Sequence, residues 1–322
     1  MLKNRLSLLK GYLFKNTEPG LWPSVIGIEI TNRCNLDCLM CPRQNMTRSI
    51  GDMDMTLFKK IIDEISDKVE YVWLQAYGEP LLHKEVFGMI RYAKGRDLNV
   101  GLSTNATVIG SDMSDKLLES GLDYIILAFD GACKATYEKV RKGADYDSVI
   151  KNIDLFLRKK NERRSKMFAV VQCIYMRETE KEIKRFLNMW RKKGVNGIRI
   201  RQVTYSGEGK YKNLSKRACY WLWHDPYITW DGTLIPCCQD VNAVYPLGNV
   251  SAAPIIKLWN SRKMQELRQI HIEGGGYKTG LCKGCNMYQP GKLLVIGSSF
   301  FSASAVNKLV PVVESFISRL RY

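Results

Sequence analysis

The stretch VIGIEITNRCNLDCLMCPR (Val25–Arg43) joins an apolar, β-branched run to Cys34, Cys38 and Cys41. The run Val25–Thr31 reads as a strand, short and apolar as in a strand buried on both faces. The loop after it is polar through Arg33, Asn35, Asp37 and Arg43, so its cysteines do not read as ordinary core thiols. Three thiolates so spaced can hold three irons of a [4Fe–4S] cube and leave the fourth open. A zinc ion held by three cysteines and one distant ligand is the competing reading.

Working outward, strand-like runs recur at Val69–Ala76, Val100–Thr104, Tyr124–Phe129, Phe168–Tyr175 and Gly197–Val203. Helical patterns lie between them. TLFKKIIDEI opens at Thr56 as its cap, and KEVFGMIRYAKG closes at Gly95. SDMSDKLLESG closes at Gly121, YDSVIKNIDLFLRKK follows, and TEKEIKRFLNMWRKKG closes at Gly194. Six alternations predict a parallel α/β sheet, open or curled into a partial barrel. Ligands of such sheets gather at the carboxyl ends of the strands. There stand the cysteine triplet, YGEP (77–80), STN (103–105) and Asp130–Gly131.

Composition agrees. The chain has 322 residues, 45% of them hydrophobic, enough for one large domain and a smaller companion. No apolar run reaches the roughly 18 residues of a membrane span. The N-terminus lacks the continuous apolar stretch and cleavage site of a signal peptide, so the chain reads as cytoplasmic. Ten cysteines in that compartment point to metal rather than disulfides. The net charge of +17 thickens at 158–166, 191–193 and 212–217, which reads mainly as solvated faces. No nucleic-acid recognition motif accompanies it.

From about residue 206 the pattern changes to glycine, tryptophan and turns, with Cys219, Cys237, Cys282 and Cys285. Four such thiolates suit a closed [4Fe–4S] cluster or structural zinc, and spacing alone leaves both open. Cys238 is the alternative to Cys237, while Cys133 and Cys173 read as core thiols. Leu2, Leu6, Leu9 and Leu13 share a helical face among basic residues, and Val312, Phe316 and Leu320 follow Pro311. These ends suit peripheral docking on an anionic membrane, or packing across the barrel's open side.

The CxxxCxxC after the first strand of a (βα)6 pattern resembles the radical S-adenosylmethionine (SAM) enzymes over residues 24–205. The resemblance implies a partial TIM-like barrel, a cluster whose open iron SAM chelates, and a 5′-deoxyadenosyl radical that abstracts hydrogen. It carries Gly78 and Glu79 over as contacts of the SAM amino group, with Tyr77 where the family has glycine. It likewise gives Ser103 and Asn105 to ribose, Asp130 to ribose or substrate, Arg141 to the SAM carboxylate and Met40 to adenine. Residues 206–290 resemble the SPASM/twitch extension and imply one auxiliary [4Fe–4S] cluster, since no further cysteine follows Cys285. The family implies a low-potential electron donor such as flavodoxin or ferredoxin. The function so implied is oxidation of a sugar or cyclitol alcohol. Peptide maturation is the second reading, disfavoured by the 24 or so residues before the core, and nucleic-acid modification the third. Residues 1–23 and 291–322 are expected as amphipathic extensions. The sequence assigns no catalytic acid or base.

Overall fold

A computed structural model describes residues 2–18, 20–203, 218–286, 295–296, 299–302, 304–306 and 308–310. The basic run 212–217, the expected boundary near 205 and the C-terminal stripe of Val312, Phe316 and Leu320 lie outside the described residues. Six strands form in chain order: β1 (Val25–Ile28), β2 (Tyr71–Trp73), β3 (Asn99–Thr104), β4 (Tyr124–Ala128), β5 (Phe168–Tyr175) and β6 (Gly197–Gln202). Each pairs with the next in parallel. The crossovers carry α2 (Met55–Ile65), α3 (Val86–Lys94), α4 (Ser111–Glu119), α5 (Lys134–Val140), α6 (Tyr146–Glu162) and α7 (Ile183–Arg191). This is the mostly parallel α/β sheet expected.

Alternation along the strands divides the apolar residues between two layers. Val72, Ile125, Leu127 and Val171 join the large core under the helices. Val25, Tyr71, Trp73, Tyr124, Ile126 and Val170 form a second cluster on the opposite face. In it the Tyr124 and Phe168 rings stack 5.4 Å apart, with Trp73 edge-on to Tyr124. A sheet with apolar residues on both faces needs its inner face closed, and this aromatic floor does so at the amino ends of the strands. Polar residues therefore collect toward the carboxyl ends.

Helix α2 shows how the outer layer is held. Phe58, Ile61, Ile62 and Ile65, at helical spacing, are all buried, each worth about 1.5–3 kcal/mol. Its cap is Asp54, extended in backbone, whose carboxylate Oδ1 accepts the Thr56 N–H at 2.7 Å. Thr56, expected as the cap, already lies inside the first turn. Basic residues of the 158–166 run face acids of α4, with Lys159 on Asp115 and Arg163 on Glu119.

The sheet does not end with the six strands. After the core come β7 (Tyr227–Ile228), β8 (Thr233–Ile235) and β9 (Gly248–Asn249), then α8 (Ile255–Trp259) and α9 (Arg262–Ile272). β7 lies parallel to β1, with Gly27 against Tyr227, and β8 and β9 extend the sheet antiparallel. Among the described residues one nine-stranded sheet thus runs β6-β5-β4-β3-β2-β1-β7-β8-β9.

Helix α1 (Leu2–Leu13) buries Leu8, Leu9 and Gly11; of the expected face of Leu2, Leu6, Leu9 and Leu13 only Leu9 is buried, Leu6 and Leu13 are half-buried and Leu2 is exposed. Its contacts are internal. Tyr12 packs edge-on to Tyr220 and Trp223, and Arg5 pairs with Glu70. Among the described residues, no helix is long and apolar enough to cross a membrane.

Candidate functional site

The cysteine loop leaves β1 and returns beside its origin. Thr31 bridges to Asp52, its hydroxyl donating to Oδ1 at 2.6 Å. The fully buried Asn32 closes the same base: its Oδ1 accepts the Gly51 N–H and its amide donates to Ser49 O. Sequence reading missed this clasp, because its two halves lie about twenty residues apart.

Helix α5 holds the loop from the other side. Leu39 N–H donates to Val140 O at 2.8 Å and Asp37 N–H to Lys142 O at 3.0 Å. The seven residues of α5 bury only Tyr137 and Val140, too few to give a periodic signal. At its end Arg141 turns inward. Its Nε and Nη2 reach Asp130 Oδ2 at 2.7 and 2.6 Å, and Asp130 Oδ1 accepts the Ile174 N–H at 2.5 Å. Asp130 is thus a strut that fixes Arg141.

Glu79 is a second strut. Buried just after Gly78, it accepts Leu81 N–H on Oε1 and Asn105 N–H on Oε2 at 2.7 Å, tying the β2 end to the β3 end. Burial raises its pKa, opposed by those two hydrogen bonds and by Arg141. Asn105 donates from its side chain to Asn35 Oδ1 at 3.0 Å and lies 3.9 Å from Cys34 Sγ. Gly78 has no room for a side chain: a Cβ would stand 2.1 Å from Thr31 O. The fold therefore brings together Cys34, Cys38, Cys41, Gly78, Glu79, Asn105, Asp130 and Arg141. Ser103 lies half-buried on β3 and Met40 half-buried in the loop.

The electrostatics suit thiols awaiting a cation. Burial raises Cys34 and Cys41 and pushes Cys38 up to about 11, while Arg141 pulls all three down. Without metal these thiols stay protonated at neutral pH, and metal must displace the protons. Three desolvated sulfurs on one loop, beside one fixed cation, fit an iron–sulfur cluster bound through three thiolates.

The second set forms around α9 and β8. Burial drives Cys237 well up, with further push from Cys238, Cys219 and Cys282. Cys282 is raised to about 11 by burial and by Cys285. Burial likewise raises Cys238 to about 11, with Asp225 and Cys285 adding to the rise and Arg201 opposing it. Cys237 is thus within electrostatic reach of Cys219 and Cys282, and Cys238 of Cys285. Among the described residues, no three His, Cys, Asp or Glu side chains converge tightly enough for one metal ion. A cube spreads its thiolates over four irons and does not ask for that. Of the presumed core thiols, Cys173 is buried, but Cys133 is only half-buried and lies 3.0 Å from Glu182 Oε1.

The second cysteine segment is tied to the strand ends of the core. Tyr77, adjacent to Gly78, donates its hydroxyl to Cys238 O. Asp225, in the segment entering β7, feels Arg201 at the end of β6. Tyr227 lies against Gly27 on β1.

Comparison with known proteins follows this division. The model of the radical SAM superfamily matches residues 28–199, and that of the SPASM iron–sulfur cluster-binding domain matches 219–286. The tungsten-containing aldehyde ferredoxin oxidoreductase cofactor-modifying protein of Pyrococcus furiosus is 24% identical over 76% of this chain and 82% of its own. The S-adenosyl-L-methionine-dependent 2-deoxy-scyllo-inosamine dehydrogenase of Niallia circulans is 23% identical over 82% and 92%. The crystal structure of BtrN in complex with AdoMet and 2-DOIA is similar in fold, with a TM-score of 0.58 and 20% identity over 82% and 93% of the two chains.

Proposed function

This chain belongs to the radical SAM superfamily and carries a SPASM iron–sulfur cluster-binding domain, and from that premise we propose that it oxidises an alcohol of a small polyhydroxylated substrate such as an aminocyclitol. When bound, the three-cysteine cluster and SAM would supply a 5′-deoxyadenosyl radical for hydrogen-atom abstraction, and an auxiliary cluster would supply an acceptor for the electron left on the substrate as its hydroxyl proton passes to solvent. Cys34, Cys38 and Cys41 would hold the first cluster, and Cys219, Cys237, Cys282 and Cys285 the second.

The protein's own residues position and seclude. Arg141, fixed by Asp130, offers its guanidinium to a carboxylate beside the cysteine loop. Glu79, Asn105 and Ser103 offer acceptors and donors to the amino and ribose groups, and Met40 an apolar surface to adenine. The aromatic floor of Tyr71, Trp73 and Tyr124 closes the barrel below. Gln75, Gln172 and Arg199, on the same faces as that floor, stand above it as polar groups for a hydroxylated ligand.

The observation that supports the reading is the contact between Tyr77 and Cys238, which ties the residue next to Cys237 to the strand end bearing Glu79. The dehydrogenase relative, matched over 92% of its length, supports the substrate class. Two measurements test it. In the Cys34/Cys38/Cys41→Ala triple variant, purified without oxygen, about four irons should remain per chain against about eight in the wild type. With SAM and dithionite, 2-deoxy-scyllo-inosamine deuterated at the carbinol carbon should transfer deuterium into 5′-deoxyadenosine and yield the ketone. Zinc in place of the four irons, or 5′-deoxyadenosine without deuterium, refutes it.

A further inference from the structure

His271 lies on the last turn of α9, buried, with its Nε2 3.2 Å from Cys282 Sγ. Two arrangements bring an imidazole nitrogen to a thiolate sulfur: a shared metal ion or a hydrogen bond. Ligands of one tetrahedral zinc, with ordinary Zn–S and Zn–N bonds, stand about 3.5 Å apart. The observed separation is shorter. In a cube each cysteine goes to its own iron, so a nitrogen this close to Cys282 has no separate iron to bind.

The hydrogen bond has one possible direction. An iron-bound thiolate carries no proton, so the imidazole donates, and its Nε2 must bear the hydrogen. The surroundings fix both partners. Gly276 packs against the ring so closely that a Cβ there would stand 2.5 Å from Cε1, 2.7 Å from Nδ1 and 2.9 Å from Nε2. Cys282 is held by its own N–H, which donates to Thr279 Oγ1 at 3.2 Å. The glycine run of GGGYKTGLCKGC thus lets the segment carrying Cys282 lie on the face of His271.

We propose that His271 is a positioning residue that donates Nε2–H to the Cys282 thiolate and thereby raises the reduction potential of the auxiliary cluster. A donor on the sulfur withdraws charge from the iron, which stabilises the reduced, more negative form. The proposal rests on the reading of Cys282 as a cluster ligand.

The test uses the Cys34/Cys38/Cys41→Ala triple variant, in which all remaining iron belongs to the auxiliary cluster. Into it go His271→Leu, which removes the donor, His271→Gln, which keeps an N–H, and Gly276→Ala, which displaces the ring. Iron content and the midpoint potential, followed by electron paramagnetic resonance in an anaerobic redox titration, are the readouts. His271→Leu and Gly276→Ala should keep about four irons per chain and shift the midpoint to more negative values. His271→Gln should lie closer to the parent. An unchanged midpoint in His271→Leu overturns the proposal. Loss of iron from both His271 variants also overturns it, because His271 would then be a ligand or a purely structural residue. A parent that holds no iron refutes the cluster itself, and the tuning role with it, before His271 is altered.

Discussion

Replacing Asp130 by alanine isolates one consequence of the way Arg141 is placed. The Asp130 carboxylate is wholly enclosed and Arg141 is about one-tenth exposed. Two guanidinium nitrogens share Oδ2, and the Ile174 N–H occupies Oδ1. Losing one partner of a buried ion pair costs about 3–5 kcal/mol. The stranded Ile174 N–H is itself a loss of about 1–3 kcal/mol. The two overlap, because relaxation that hydrates one group hydrates the other, so we expect about 4 kcal/mol in all. Urea unfolding followed by tryptophan fluorescence on the metal-free chain measures it. The double variant Asp130→Leu/Arg141→Met should recover the share due to the orphaned charge, since an apolar pair of similar volume replaces a buried ion pair at little net cost, while the Ile174 N–H stays without its acceptor. It should not recover SAM binding, which on our reading needs the guanidinium. A loss under about 1 kcal/mol in Asp130→Ala would show a solvated pair. A double variant as unstable as the single one would refute the argument that an orphaned charge causes the loss.

Further outcomes follow from neighbouring groups. Burial lowers the His224 pKa from 6.5 to about 4, so the unfolded chain gains its proton first, and stability falls as pH drops through that window. Burial raises Asp225 from 3.8 to about 7, so its effect runs the other way: stability falls as pH rises from about 3.8 to 7. The two windows overlap with opposite sign, each worth at most about 3–4 kcal/mol at 1.36 kcal/mol per unit. His224→Leu should therefore leave stability declining with rising pH, and Asp225→Asn should leave it declining with falling pH; unfolding curves between pH 4 and 7.5 distinguish them. Gly78→Ala should drive the β2 end off Thr31 and lower the iron content by about four per chain, with the auxiliary irons kept. Arg268→Leu should destabilise by at least about 1–3 kcal/mol, the cost of a buried carbonyl left without its donor. That side chain, sandwiched by Trp223 and Trp259, donates to Leu222 O, Thr17 O and Trp259 O. Thermal unfolding checks it, and Arg268→Lys should rescue little.

Much of the architecture was legible because its signals are local. Apolar β-branched runs mark β1 to β6, and three cysteines within eight residues directly after a strand mark a metal-binding loop without reference to distant parts. What stayed hidden depends on partners far along the chain. Helix α5 is too short for periodicity, yet its carbonyls hold the cysteine loop. Asn32 reads as one polar residue among many until Gly51 returns to it. Asp54 rather than Thr56 caps α2, since either residue type suits the position and only backbone direction decides. His271 gave no signal, because a lone histidine on a helix has no marked spacing to a cysteine eleven residues later.

The pairing of β1 with β7 gives the polypeptide an unusual assembly schedule. β1 leaves the ribosome before the other described strands, yet its second neighbour, Tyr227–Ile228, arrives 200 positions after Gly27. At about 5–20 residues per second the flank of β1 stays bare for roughly 10–40 s of synthesis. Pairing of such long sequence separation is slow to nucleate and open to intermolecular strand exchange. A fragment cut between β6 and β7 would keep that raw flank permanently. The amino-terminal piece alone is therefore expected to aggregate, and supplying the remainder in trans should keep it dispersed.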